Sequence, residues 1–291
     1  MIVKESWGVL KQDKEILWFP VLSALTMLAV YAVVVTLYFF GMFGGDFSAL
    51  MAAIEAEEAG TSMLTDTQEI ISYLILFVTY LLSFLVVNFF QAGIMSIAWA
   101  RFQGRDLTFG DGMRAAASKL GPIFVWSLIS ATVGLILDQI SQRLGWAGKL
   151  IAIFLGAAWN ILTFFSLPAL VLGNATIIGS FKDSAAMIRK TWGETVIVSI
   201  GVGLFFGLVF LGLAVAIIGI GITAAVLSDG FGPLILLASF VILLLVLPLI
   251  VVVASALSSI FKVALFEYAR TGIMPSGFTP ALIQQAIEAK K

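Results

Sequence analysis

Apolar positions along this chain do not alternate with polar ones; they run on without interruption. Six stretches carry almost no charge, roughly 17–43, 70–100, 121–137, 149–174, 194–228 and 232–263. A bilayer core about 30 Å thick needs about 20 apolar residues per spanning helix. Each stretch meets or approaches that length. The third is short and draws on its flanks, whereas the second, fifth and sixth are long enough to tilt or protrude. The pattern predicts an all-α polytopic membrane bundle with six transmembrane helices. The spans take up over half of the chain, so residues 1–291 read as a single transmembrane domain. The first apolar run, Ile16 to Phe43, is too long for a signal-peptide core and has no small-residue cleavage site after it.

A second pattern sits between the spans. Thr108-Phe109-Gly110-Asp111 and Ser180-Phe181-Lys182-Asp183 both fit the capping box, in which a hydroxyl and an acid satisfy the first free amides of a helix. Gly277-Phe278-Thr279-Pro280 offers a third start, with proline suited to a first turn. Short amphipathic stripes follow: Met113, Ala116, Ala117 and Leu120; then Ala185, Ile188 and Trp192; then Leu282, Ile283, Ala286 and Ile287. Near the N-terminus Val3, Trp7 and Leu10 face away from Lys4, Lys11 and Glu15. These predict short interfacial amphipathic helices on the cytoplasmic side, one before each outward-going span and one closing the chain. Ala100 to Gly104 resembles Ala269 to Gly272, so three hairpin units are either an internal repetition or a shared solution to the same turn. Trp7, Trp99 and Trp192 fall where an aromatic belt is expected.

Charge orients the bundle. Fourteen of the sixteen Lys and Arg lie in the N-terminal segment, in the loops after spans 2 and 4, or at the end of span 6 and the tail; only Arg143 and Lys149 lie on the other side. The positive-inside rule then places both termini in the cytoplasm. Gly44 to Glu69 holds Asp46, Glu55, Glu57, Glu58, Asp66 and Glu69 and no base, and is expected outside. Phe47 to Glu58 suits a short surface helix. This acidic loop is either a cation-binding element or a solvated linker.

Composition narrows the chemistry. The chain has no Cys and no His, which removes disulfides, thiol nucleophiles, Cys/His metal sites and Ser-His-Asp catalysis. Its net charge of −1 gives no global field for nucleic acid. No phosphate loop, carboxylate pair or metal-ligand cluster is legible, so no catalytic, cofactor or metal residues are assigned and an enzyme is not expected.

Polar groups inside the spans are few. Asn88 and Gln91 share a face of span 2, and Asn160 and Thr163 a face of span 4, with Ser166 nearby. They form either an intramembrane polar patch for a substrate or headgroup, or interhelical hydrogen bonds that hold the bundle. No acid sits mid-span, and Lys262 is close enough to the inner surface to snorkel, which argues against an ion-coupled transporter. Pro168 and Pro248 interrupt spans 4 and 6, as packing kinks or as the broken helices of a transport site. Ser199, Gly203 and Gly207 make a small-residue stripe on span 5, for another subunit or for a neighbour in the bundle.

Certain residues in combination carry a family likeness. They are Ser6-Trp7 with Phe19-Pro20; Asn88-Phe89-Phe90 before Arg101 and Gly104; Thr108 to Ala116; Ala158-Trp159-Asn160 with Thr163-Phe164-Phe165 and Pro168; and Thr191-Trp192-Gly193-Glu194. The chain resembles a prokaryotic family of six-helix membrane proteins of unknown function. It is more distantly similar to the membrane domain attached to some glycerophosphodiester phosphodiesterases. The resemblance implies a cytoplasmic (inner) membrane location and supplies no site residues. Members of the family often carry an acid after the proline of helix 4, where this chain has Leu172-Gly173-Asn174. The expectation is a non-enzymatic membrane protein that interacts with lipids or scaffolds partners at the inner leaflet, with a homo-oligomer or a membrane protein as partner. The alternative is a carrier for a lipid or apolar molecule between helices 2, 4 and 6.

Overall fold

The computed structural model of the chain describes residues 2–61, 64–228, 231–273 and 275, and the side chains of all of these except 2–5, 9, 57, 191–203 and 245. Among the described residues there is no strand. The helices are α1 (Ile2–Gln12), a 3-10 turn (Lys14–Leu17), α2 (Trp18–Phe43), α3 (Phe47–Glu58), α4 (Asp66–Phe102) and α5 (Phe109–Ser118), followed by α6 (Leu120–Arg143), α7 (Gly145–Leu162), α8 (Ser166–Val171), α9 (Ile177–Leu227) and α10 (Gly232–Thr271). Six segments among them are long and apolar enough to cross a membrane: Lys14–Phe43, Asp66–Phe102, Leu120–Arg143, Gly145–Val171, Leu204–Leu227 and Gly232–Thr271. The all-α polytopic bundle read from the sequence is the architecture observed, and the third span does extend into its flanks.

The helix ends follow from local chemistry. Thr108 caps α5, its hydroxyl accepting the Asp111 amide while the Asp111 carboxylate accepts the Thr108 amide. Thr65 and Gln68 form a second capping box at the start of α4. The Asp46 carboxylate accepts the Ser48 amide and opens α3. Gly44 takes φ +60 and its amide returns to the Phe40 carbonyl, a left-handed stop that other residues adopt only at a cost. Gly104 and Gly272 both take φ +74, so the similar sequences after α4 and α10 make similar turns.

Two expectations are corrected in the second half of the chain. The segment around Ser180–Asp183 does not open a helix of its own. Thr176 is the cap, accepting the Gly179 amide, and the helix then runs through Leu227 for 51 residues. At 1.5 Å per residue that is about 76 Å, far more than a bilayer core requires. The amphipathic stretch and span 5 are therefore one rod, not an interfacial helix followed by a span. Span 4 begins at Gly145 and breaks after Leu162, three residues before α8 starts at Ser166. The break lies upstream of Pro168 because a proline ring clashes with the carbonyl four residues back, here Phe164. The amphipathic tail expected at Leu282, Ile283, Ala286 and Ile287, with its start at Gly277–Pro280, lies outside the described residues, as do the side chains of Val3, Trp192 and Ser199.

The densest packing is at the basic end of the bundle. The C-terminal half of α4, all of α8, and α10 from Ala256 to Ala269 are buried there with Ile16, Phe19, Ile123 and Trp126. The described part of α9 from Leu204 onward is largely exposed, in keeping with a lipid-facing surface.

Candidate functional site

Three helix stripes and one side chain of α9 converge on a groove of about 700 Å³. From α2 come Pro20, Ser23, Ala24 and Met27; from α4 come Val87, Phe90, Gln91 and Ile94. Both sets have the i, i+3, i+4, i+7 spacing of one helical face. α10 contributes Phe240, Leu243, Leu244, Leu247, Pro248, Val251, Val252 and Ser255, and α9 contributes Phe210. Leu244 and Val251 are each 57% exposed, so the groove opens towards the lipid-facing side of α10. Its polar side chains are Ser23, Gln91 and Ser255. Pro248 has no amide to bond the Leu244 carbonyl, which weakens α10 in the wall of the groove.

The four residues expected to form a polar patch are not gathered. Asn88 is buried and its Nδ2 donates to Ser127 Oγ of α6 at 3.0 Å. Gln91, half-buried, lines the groove instead. Asn160 is exposed on α7, and the Thr163 hydroxyl donates to the Trp159 carbonyl of its own helix at 2.7 Å. Among the described residues no hydrogen bond links the first pair to the second. Three residues along a helix turn the side chain by 300°, so Asn88 and Gln91 lie about 60° apart. That angle is enough for one to meet α6 and the other the groove.

The basic end is tied by ionic and aromatic contacts. Arg101, closing α4, pairs with Asp13 through both carboxylate oxygens and with Asp106. Glu15 Oε2 accepts the first amide of α5, Phe109 N, at 2.7 Å. Trp99 Nε1 donates to Glu267 at 3.2 Å, and Arg270 also pairs with Glu267, so Trp99 joins α4 to α10 instead of standing in a lipid belt. Asn174, after the proline of span 4, accepts from the Lys119 ammonium. The Lys262 ammonium lies 5.1 Å from the centre of the Phe164 ring. Trp126 and Trp159 stack and Phe181 packs tilted against both, joining α6, α7 and α9.

These contacts also decide what the amphipathic faces cover. Leu10 of α1, Ala116 of α5 and Ile188 of α9 are all at most 4% exposed, and Ala117 and Leu120 face outward. Each apolar face is thus partly covered by the chain's own core, while Trp7, Ala117 and Leu120 remain exposed. On span 5, Gly207 and Gly212 have no described side chain against them, whereas Gly221 meets Ser239 of α10. Among the described residues no group of three or more acids gathers as a metal site.

A family model described as a family of unknown function, DUF6159, matches residues 70–278. No curated protein and no solved structure matches the chain.

Proposed function

The chain belongs to the family of unknown function DUF6159, and we propose that it is a non-enzymatic membrane protein that binds a lipid chain or similar apolar amphiphile between α2, α4, α9 and α10. The observation that carries this is the groove of about 700 Å³, walled by apolar side chains and open towards lipid. A volume of that order suits a drug-sized or lipid-sized ligand, and a lone amide in an apolar wall fixes the orientation of an amphiphile. Leaflet binding through the basic-end helices is the weaker reading, because Leu10, Ala116 and Ile188 of their apolar faces are buried in the chain's own core and only Trp7, Ala117 and Leu120 stay exposed. By the positive-inside rule, the basic end faces the cytoplasm, with both termini on that side; the resemblance to six-helix prokaryotic membrane proteins supports an inner-membrane location. Native mass spectrometry of protein released in mild detergent tests the proposal. The expected result is a retained lipid mass that disappears in Ala24→Trp, which fills the groove, and persists in Asn160→Ala. Equal retention in both variants overturns it.

The carrier reading is favoured by one feature, Pro248 in the groove wall. A weakened point in α10 lets its outer half swing with α9 and alternately open the groove. Lipid flux in vesicles that is unchanged by Pro248→Ala counts against carriage while leaving binding intact.

A further inference from the structure

A second cavity, of about 560 Å³, lies at the acidic end, separate from the groove. α3 roofs it, and α2, α4 and α6 supply its walls. Three aromatic rings line it, those of Tyr38, Phe43 and Tyr73, together with the carboxylate of Glu69 and the amide of Gln139. Tyr38 and Phe43 meet edge to face with centroids 6.0 Å apart. The Tyr38 hydroxyl is within 3.3 Å of Ser72 Oγ, which keeps the ring in place. Gln139 Nε2 is buried and has no hydrogen-bond partner among the described residues. A buried donor without a partner is destabilising and asks for an acceptor.

The charged side chain that lines this cavity is an acid. Glu69 is the formally charged residue among its lining side chains, and no Lys or Arg occurs from Gly44 to Glu69. Asp138 of α6, one position before Gln139, is bonded to Gln142. Arg143 is a full turn beyond Gln139, exposed, and lines a neighbouring groove that Gln139 also borders, but it does not line this cavity. An anionic headgroup would meet a carboxylate here with no base lining the cavity to balance it. Aromatic faces beside a carboxylate are instead the recognition chemistry of ammonium groups, through ring quadrupoles and a direct charge.

We infer that this cavity binds the ammonium head of an amphiphile, with Tyr38, Phe43, Tyr73 and Glu69 around the cation and the Gln139 amide donating to an ester, phosphate or hydroxyl oxygen next to it. Leu50, Ile54 and Leu76 are the apolar part of the wall and would take the first carbons of a chain. A zwitterionic phospholipid head and a free alkylammonium present the same chemistry.

Binding to purified full-length protein in a neutral maltoside detergent tests this, read by titration calorimetry with three probes. They are short-chain phosphatidylcholine, dodecyltrimethylammonium and, as the anionic comparison, phosphatidylglycerol of the same chain length. The first two are expected to bind and the third not. Glu69→Gln is expected to weaken binding about tenfold, while Glu55→Gln, in the same acidic stretch but not lining the cavity, leaves it unchanged. Tyr73 is half-exposed, so Tyr73→Leu provides a variant with little effect on folding, and the same direction of loss is expected. Binding of the free ammonium alone, lost in Glu69→Gln, assigns the site to soluble amphiphiles; binding of both assigns it to the lipid head. Phosphatidylglycerol binding as tightly as phosphatidylcholine, affinity indifferent to Glu69→Gln and Tyr73→Leu, or no heat with either ammonium probe overturns the inference.

Discussion

Ser184 of α9 repairs the break in the fourth span: its hydroxyl accepts the amide of Phe165 at 3.1 Å and donates to the carbonyl of Leu162 at 2.7 Å. Backbone groups freed by a break within a membrane helix must be satisfied inside the protein, because lipid offers them nothing. Ser184→Ala leaves both without this partner in a fully buried place. The expected loss is about 1–3 kcal/mol in detergent unfolding. The Ser180 hydroxyl bonds the Ile177 carbonyl of its own helix, so Ser180→Ala is expected to cost less than half as much. Equal losses at the two serines would show that the repair contributes nothing of its own.

Phe19 is held where two glycines let backbones come close. A Cβ on Gly93 would lie 2.1 Å from the Phe19 ring, and one on Gly112 would lie 2.8 Å from it. Phe109 packs on the same ring, with centroids 4.6 Å apart. The ring is fully buried and has nowhere to turn. Gly93→Ala is expected to destabilise by about 1–3 kcal/mol through overpacking. In a Phe19→Ala background the same substitution should cost much less. A double-mutant cycle with no coupling energy would refute the clamp.

Asp13 and Arg101 make the ionic link whose loss should be felt most. Their side chains are 8% and 25% exposed, against 79% for Asp106. Removing one partner of a shielded pair leaves an uncompensated charge and costs several kcal/mol when burial is complete; about 2 kcal/mol is expected here. Asp106→Ala should fall within about 0.5 kcal/mol of the parent protein. Comparable losses for Asp13→Ala and Asp106→Ala in thermal unfolding would count against this ranking.

The α5 cap predicts an acid dependence. The Thr108 hydroxyl, then the Thr108 amide, hold the Asp111 carboxyl below its usual range, with Arg114 adding to the effect. A depressed folded-state pKa gives a contribution that is present above the unfolded value, about 4. It is lost as pH falls through the folded value. Amide protection in the first turn of α5 should therefore drop below about pH 4 in the parent protein. It should be flatter with pH in Asp111→Asn. Identical pH profiles for the two proteins would exclude the carboxylate as the cause.

The spans, the Thr108 cap and α3 were legible because each rests on local composition: a run without charge, a hydroxyl and acid three apart, an acidic Ala/Met stretch. Thr65-x-x-Gln68 was equally local, and its box could have been read from the same rule. Ser180–Asp183 misled because that rule cannot see a better cap four residues earlier at Thr176. The groove left no such trace. Pro20, Ala24 and Met27 are helix-spaced, but their neighbours along α2 are just as apolar, so the stripe has no contrast. Which way a polar side chain points depends on the helix packed beside it, and this was not visible for Asn88 and Gln91.

Those two residues, three apart on α4, are expected to separate stability from binding. Asn88 bonds Ser127 and does not line the groove, so Asn88→Ala should destabilise. The effect should be modest, about 0.6–1.7 kcal/mol, because polar partners in a membrane reference state soften such losses. It should leave lipid retention unchanged. Gln91 lines the groove and makes no hydrogen bond among the described residues. Gln91→Leu should leave unfolding within about 0.5 kcal/mol of the parent protein, since no internal hydrogen bond among the described residues is lost. It should instead change which amphiphile is retained, since the groove loses its amide. The two measurements, detergent unfolding and native mass spectrometry of the same preparations, place each residue in one column only. If Asn88→Ala removed the lipid, or if Gln91→Leu cost stability and left the lipid in place, the polar pair would act together as one element of packing and the groove would be no ligand site.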